Sequence, residues 1–335
     1  MYPDPMHMVR TAAACATLLV AASWAVAGEH LSLELKPALI DELRADVIVE
    51  PAAGIRFDDE SWLHYNWRRI ETPDLGPYNA GLFMDQAASI PWSIAAVAAG
   101  TTAQGIIAWN WGNDEFRFNP EGWFGKDTGS LGMDKLGHAY TTYLYSEFFT
   151  QRIAHRADDT TGAAITGALL AMGIQTYVEV FDGFSGDHGF SREDMVMNGL
   201  GAGFSVLRST VPGLAEKLDF RMEYLPSGNK GYFRPASDYS GQKFILALKL
   251  SGFEAFEDTP LRFVELHAGY FARGFTDDEE ARGEQLRREP YVGIGLNLQE
   301  LLDAGIRNDT TAGLIAKRTL EYVQVPYTYA ATSQD

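Results

Sequence analysis

Residues 160–198, TTGAAITGALLAMGIQTYVEVFDGFSGDHGFSREDMVMN, decide how this chain is built. From 160 to 178 there is no charged side chain, and Gly162, Ala163, Gly167, Ala171 and Gly173 are small. That composition predicts a helix over 160–182 whose backbone lies close to its neighbours. Glu179 and Asp182 then fall three apart in its last turn, where the helix dipole disfavours negative charge and something positive has to compensate. A Gly183-Phe184-Ser185-Gly186 turn reverses the chain and brings Asp187 and His188 to the same end. Ser191 followed by Asp194 has the form of a capping box, so a further helix is expected over 192–210, with Asn198 one turn beyond Asp194.

The pattern continues on both sides. Upstream, DKLGH (134–138) opens a helix expected to run to about His155, with Asp134 and His138 four apart on one face. Before it, SIPWSIAAVAAGTTAQGIIAW (89–109) lies in a stretch without charge between Asp85 and Asp114 and also reads as a helix. It has the length of a bilayer span but is rich in Ala, Gly and Thr, so a soluble bundle and a membrane-seated one both stand. Downstream of Pro212, residues 243–253, 261–275, 290–302 and 321–329 are rich in aromatic and β-branched residues and read as strands. In the second, Val264, Leu266, Ala268 and Tyr270 share a face; in the third, Val292, Ile294, Leu296 and Leu298 do. The charged link 276–288 reads as solvated. A membrane barrel takes at least eight strands, which these do not reach. The expected class is α+β, with about four apolar, small-residue-rich helices followed by a small antiparallel sheet. The corresponding organisation is a signal peptide over 1–27, an irregular segment over 28–84, a helical domain over 85–212 and a β-rich region over 213–335.

The chain has 335 residues and a formal net charge of -18. An acidic protein repels phosphate backbones, which excludes nucleic acid as a partner. Residues 11–27, TAAACATLLVAASWAVA, follow Arg10 and end in a small-x-small pattern, so export with cleavage before Gly28 is expected. Cys15, the single cysteine, lies inside this leader and precedes most of its apolar run, so it cannot serve as a lipobox cysteine. The protein is therefore expected in the periplasm, the outer membrane or elsewhere in the cell envelope.

Three consecutive helices each offer a polar pair at helical spacing. If their ends converge, Asp134, His138, Glu179 and Asp182 form a site able to hold a divalent metal or to work as general acid and base. Lys135, Asp187, His188, Asp194 and Asn198 would surround it. Each residue also has a plain structural reading: Asp134 as an N-cap, Ser191 and Asp194 as a capping box, His138 as a hydrogen-bonded core histidine. HExxH, ExxH, nucleophile-elbow and phosphate-loop motifs do not occur.

DKLGH, EVFDGFSGDHGFS (179–191) and the D-x-x-x-N-x-x-G of Asp194, Asn198 and Gly201 resemble a predicted periplasmic lipoprotein family, domain of unknown function 2279. GYFARGF and VGIGLNL resemble the C-terminal part of its longer members. A looser similarity is to VanZ-like membrane proteins, which implies an envelope setting and amphiphilic ligands such as lipid-linked glycans. Neither resemblance implies an established reaction. Two functions are expected on this footing. One is a non-catalytic envelope protein that binds a protein partner or supports envelope assembly. The other is a hydrolase or transferase acting on a lipid or glycan headgroup.

Overall fold

A computed structural model describes residues 78–227, 233–305 and 311–332. Residues 1–27, expected as a signal peptide, and residues 28–77 of the N-terminal segment lie outside the described residues. Helix α1 (Ala80–Ser89) is capped by Asn79, whose side chain accepts from the Leu82 amide at 3.1 Å. Pro91 starts α2 (Pro91–Ala108) after a 78° bend, because a proline fits the first turn of a helix but cannot continue the one before it. The three motif-bearing helices follow as α3 (Met133–Arg156), α4 (Ala163–Asp182) and α5 (Arg192–Thr210).

Small residues set the spacing of these three. A Cβ added to Gly201 of α5 would sit 2.0 Å from the Ala139 carbonyl of α3, and one added to Gly167 of α4 would sit 2.8 Å from the Ser146 carbonyl. Contacts that close are open only to glycine. Ile90, Phe149, Ile153, Ala163, Ala171 and Ile174 form the apolar core among α2, α3 and α4. On the far side of α3, Tyr140 and Tyr143 pack with Phe204 of α5 and with Phe220 and Phe244 of the sheet.

Among the described residues, β1 (Leu218–Tyr224), β2 (Gln242–Lys249), β3 (Val264–Arg273), β4 (Arg287–Leu296) and β5 (Tyr329–Ala331) make one antiparallel sheet in sequence order. The α+β class holds. Segment 322–324 also bonds to the outer edge of β1, Met222 N to the Tyr322 carbonyl at 2.9 Å and Gln324 N to the Met222 carbonyl at 3.0 Å. The C-terminal segment thereby touches both the first and the fourth strand and closes the sheet.

Several strand expectations are corrected. β1 was not foreseen, because LDFRMEY buries its charged positions: Asp219, Arg221 and Glu223 are inside. The strand expected over 290–302 ends at Leu296, and Leu298 begins helix α6 (Leu298–Gly305), so Leu298 does not share the face of Val292. Residues 321–328 are turn and bridge rather than strand, and α7 (Thr311–Thr319) precedes them. The charged link is not wholly solvated either. Glu279 is buried in a capping box with Thr276 and accepts from Ser240.

The sheet's two faces carry unusual polarity. Asp219 accepts from Arg208 at 2.9 Å, Arg221 at 2.7 Å and Lys249 at 2.8 Å, all buried. Glu265 takes Arg221 at 2.8 Å and His267 at 2.7 Å. The opposite face carries Leu246, Leu266, Val292, Ile294 and Leu296, all exposed. Cross-strand register places Leu246, Ala268 and Val292 in one row and Leu248, Leu266 and Ile294 in the next.

Candidate functional site

The first turn of α3, the last turn of α4 and the first turn of α5 meet around a cavity of about 400 Å³. Each is placed by local backbone chemistry. Gly132, at φ 86°, turns the chain into α3 with Phe124 packed where a side chain would be. The Ser191 hydroxyl caps α5 by accepting from the Asp194 amide at 3.2 Å. The Ser191 amide in turn donates to Glu179 at 3.1 Å, so the α5 start is tied to the α4 end. The glycine turn folds back as expected. Asp187 and His188 line the cavity, and the Gly189 amide bonds the Asp182 carbonyl at 2.8 Å.

Asp134, His138, Glu179 and Asp182 all line this cavity, as do Lys135 and Asp194. The structure groups them differently from the spacing, however. One ligand atom each from His138, Glu179 and Asp194 lie within 4.8 Å of one another, as do one each from Glu121, Asp134 and Asp194. In the first group His138 Nδ1 is 3.3 Å from Glu179 Oε1, and Nε2 is 4.0 Å from Asp194. Neither His138 Nδ1 nor Glu179 Oε1 makes a hydrogen bond, although both atoms are buried. The second group is already occupied by an ammonium: Lys135 Nζ, almost fully buried, contacts Asp134 at 2.9 Å, Asp194 at 3.0 Å, and Glu121. Asp182 stands apart and accepts from the Trp111 indole at 2.6 Å. Asn198 does not line the cavity; it accepts from Thr142 at 2.8 Å and holds α5 to α3.

Glu121, Trp111 and Tyr239 complete the walls or their support. The Glu121 stretch offered only a polar, aromatic loop without periodicity, and Tyr239 lies in a turn between β1 and β2, so neither carried a positional signal. Asn119, beside Glu121, fixes the opposite rim by donating to the His188 carbonyl at 2.9 Å.

Electrostatics follow from crowding carboxyls in a half-dry space. Burial, reinforced by the charge of Asp194, pushes Glu179 up to about 9. Burial and Asp194 push Glu121 up to about 8 despite its bond to Lys135. Burial also raises Asp182, partly offset by the Trp111 hydrogen bond. Burial acts upward on Asp134 too, but Lys135 and Ser130 outweigh it and hold that carboxyl below its ordinary value. Burial thus holds the Glu121 and Glu179 carboxyls above their ordinary range beside Asp134, which is held below its own. Such a set can donate a proton, accept one, or trade its protons for a metal ion.

No curated protein and no solved structure matches the chain. A family model does match, and its description as periplasmic agrees with the leader-like N-terminal sequence: the protein is exported to the periplasm or cell envelope. Residues 120–210, a stretch that includes Glu121 at the cavity wall and ends with α5, match the model of the family described as "Predicted periplasmic lipoprotein (DUF2279)".

Proposed function

We propose that this envelope protein binds a divalent cation at His138, Glu179 and Asp194 and uses it to act on the polar headgroup of an envelope lipid or glycan. The observation that carries this reading is the orphaned pair His138 Nδ1 and Glu179 Oε1, buried 3.3 Å apart and opening on a 400 Å³ cavity. One imidazole with two carboxylates is a donor set suited to zinc, manganese or iron(II). An excess of carboxylates repels a bare phosphate, so an anionic headgroup would be held only through a cation. A bound cation supplies Lewis acidity toward a phosphoryl or acyl oxygen. Glu121, whose carboxyl burial pushes up to about 8, would give a proton to a departing oxygen, and Asp182, oriented by Trp111, would accept one from water.

A second reading is favoured by a different observation. Lys135 joins Asp134 of its own helix, Asp194 of α5 and Glu121 of the preceding loop, as a polar lock between helix ends would. In that case the protein is a scaffold for a protein partner or for envelope assembly, and the acidic cluster is structural.

Metal content separates the two. Protein purified from the envelope fraction should carry near-stoichiometric zinc, manganese or iron by mass spectrometry, and His138→Ala and Glu179→Gln should lower occupancy at least tenfold. Absence of metal from the wild type after addback, with His138→Ala changing only the melting temperature, would leave the polar lock as the function of these residues.

A further inference from the structure

We infer that the outer faces of α2, α4, α5 and strands β2 to β4 are a lipid-facing surface, seated among the acyl chains of an envelope bilayer. The inference is independent of the metal site. Four segments carry it. Helix α2 has no charged residue, packs Ile94, Val97 and Ala98 on the apolar core, and leaves Trp92 and Ile106 exposed on its other side. On α5, Val196, Leu200 and Leu207 form an exposed stripe within a charge-free run from 195 to 207. On α4, Leu169 and Val180 are exposed within a segment whose first charged residue is Glu179.

The sheet is the most telling. Its outer rows consist of Leu246, Ala268 and Val292, then Leu248, Leu266 and Ile294, with Val292 60% and Ile294 61% exposed. Its inner face buries Asp219, Arg221, Glu223, Lys249, Glu265 and His267 beside a small apolar cluster of Ile245, Ala247, Phe271 and Tyr291. In water this is the wrong way round, since burial of ions costs free energy and exposure of branched side chains forfeits the gain of hiding them. Against hydrocarbon the same distribution is favourable, and it is the polarity that lipid-facing strands show, whatever their number. Charge ends where these rows end: Arg287, Arg288 and Glu289 cluster at one end of β4, and Glu300 follows the other. A second copy of the chain would cover one patch on each protomer and leave the remaining faces in water.

The test uses thiol accessibility in the full chain. Cys15→Ser removes the single cysteine, and Ile294→Cys, Leu200→Cys and, as a solvated reference, Glu284→Cys are introduced one at a time. In sonicated membranes, a charged maleimide should modify Ile294→Cys and Leu200→Cys at least tenfold more slowly than Glu284→Cys, with equal rates after denaturation. The chain should also stay in the pellet through an alkaline wash. Comparable labelling rates in membranes would overturn the inference. So would recovery of the chain as a monodisperse monomer or dimer without detergent.

Discussion

Lys135 and His138 stand one helical turn apart and meet the same acidic neighbourhood with opposite consequences. The lysine side chain is 1% exposed and spends its three donors on Glu121, Asp134 and Asp194. His138 leaves a ring nitrogen and a glutamate oxygen unmatched. Replacing Lys135 by Met should therefore cost stability, about 3–5 kcal/mol, because three carboxyls lose their buried counter-charge. A fall in the denaturation midpoint of Lys135→Met, without loss of metal at the neighbouring group, is the expected pair of results. Asp194 also shows where sequence reading stops at this scale. Its backbone amide donates to the Ser191 cap, but the expected capping box is not completed, because the Ser191 amide donates to Glu179 instead. The carboxylate is free of that task and reaches both acidic groups. Spacing singled out His138, Glu179, Asp134 and Asp194 but missed Glu121, and it could not tell that Asp194 is the carboxylate shared by the two groups.

Among elements, the helices were legible and the strands were less so. Helical periodicity, a proline start and a serine cap act locally, and α3, α4 and α5 begin and end within a few residues of the expected positions. Strand β1 was hidden because its inward positions are charged, and only the cations arriving from α5, β1 itself and β2 make that arrangement stable. Burial by itself would raise the Asp219 carboxyl, but Lys249, Arg221 and Arg208 outweigh it and hold it well below its ordinary 3.8. A depressed folded-state value means that its stabilisation is complete above about pH 4 and fades as pH falls further. Asp219→Asn should thus be destabilised by about 3–5 kcal/mol at neutral pH. The gap between variant and wild type in thermal unfolding should narrow progressively from pH 4 toward pH 2. A constant gap across that range would show that the cations do not act through this carboxylate.

For the molecule as a whole, two kinds of interior are joined through α3. Its N-terminal turn feeds the acidic cavity, while Tyr140 and Tyr143 along its length anchor the sheet. The α+β division was readable from the change of character after Pro212; the closure of the sheet was not, since it depends on contacts between residues about a hundred positions apart. Removing residues from Glu321 onward would take away the Tyr322 carbonyl that accepts from Tyr140 and the bridge to Met222. That truncation should give a chain degraded in limited proteolysis throughout the β-rich region, and a digestion pattern equal to that of the full chain would show that this segment does not hold the sheet.

The closing bridge between Met222 and Val323 also sets an order in time. A chain threaded across a membrane from its N-terminus emerges with β1 about a hundred residues ahead of its partner segment. Until that segment follows, Asp219, Arg221 and Glu265 sit in an unsealed ring and one flank of β1 offers free amides to any passing strand. The nascent protein therefore has a window of vulnerability whose length is fixed by the rate of translocation, and envelope chaperones that shield strand edges should matter to its yield more than to its final stability.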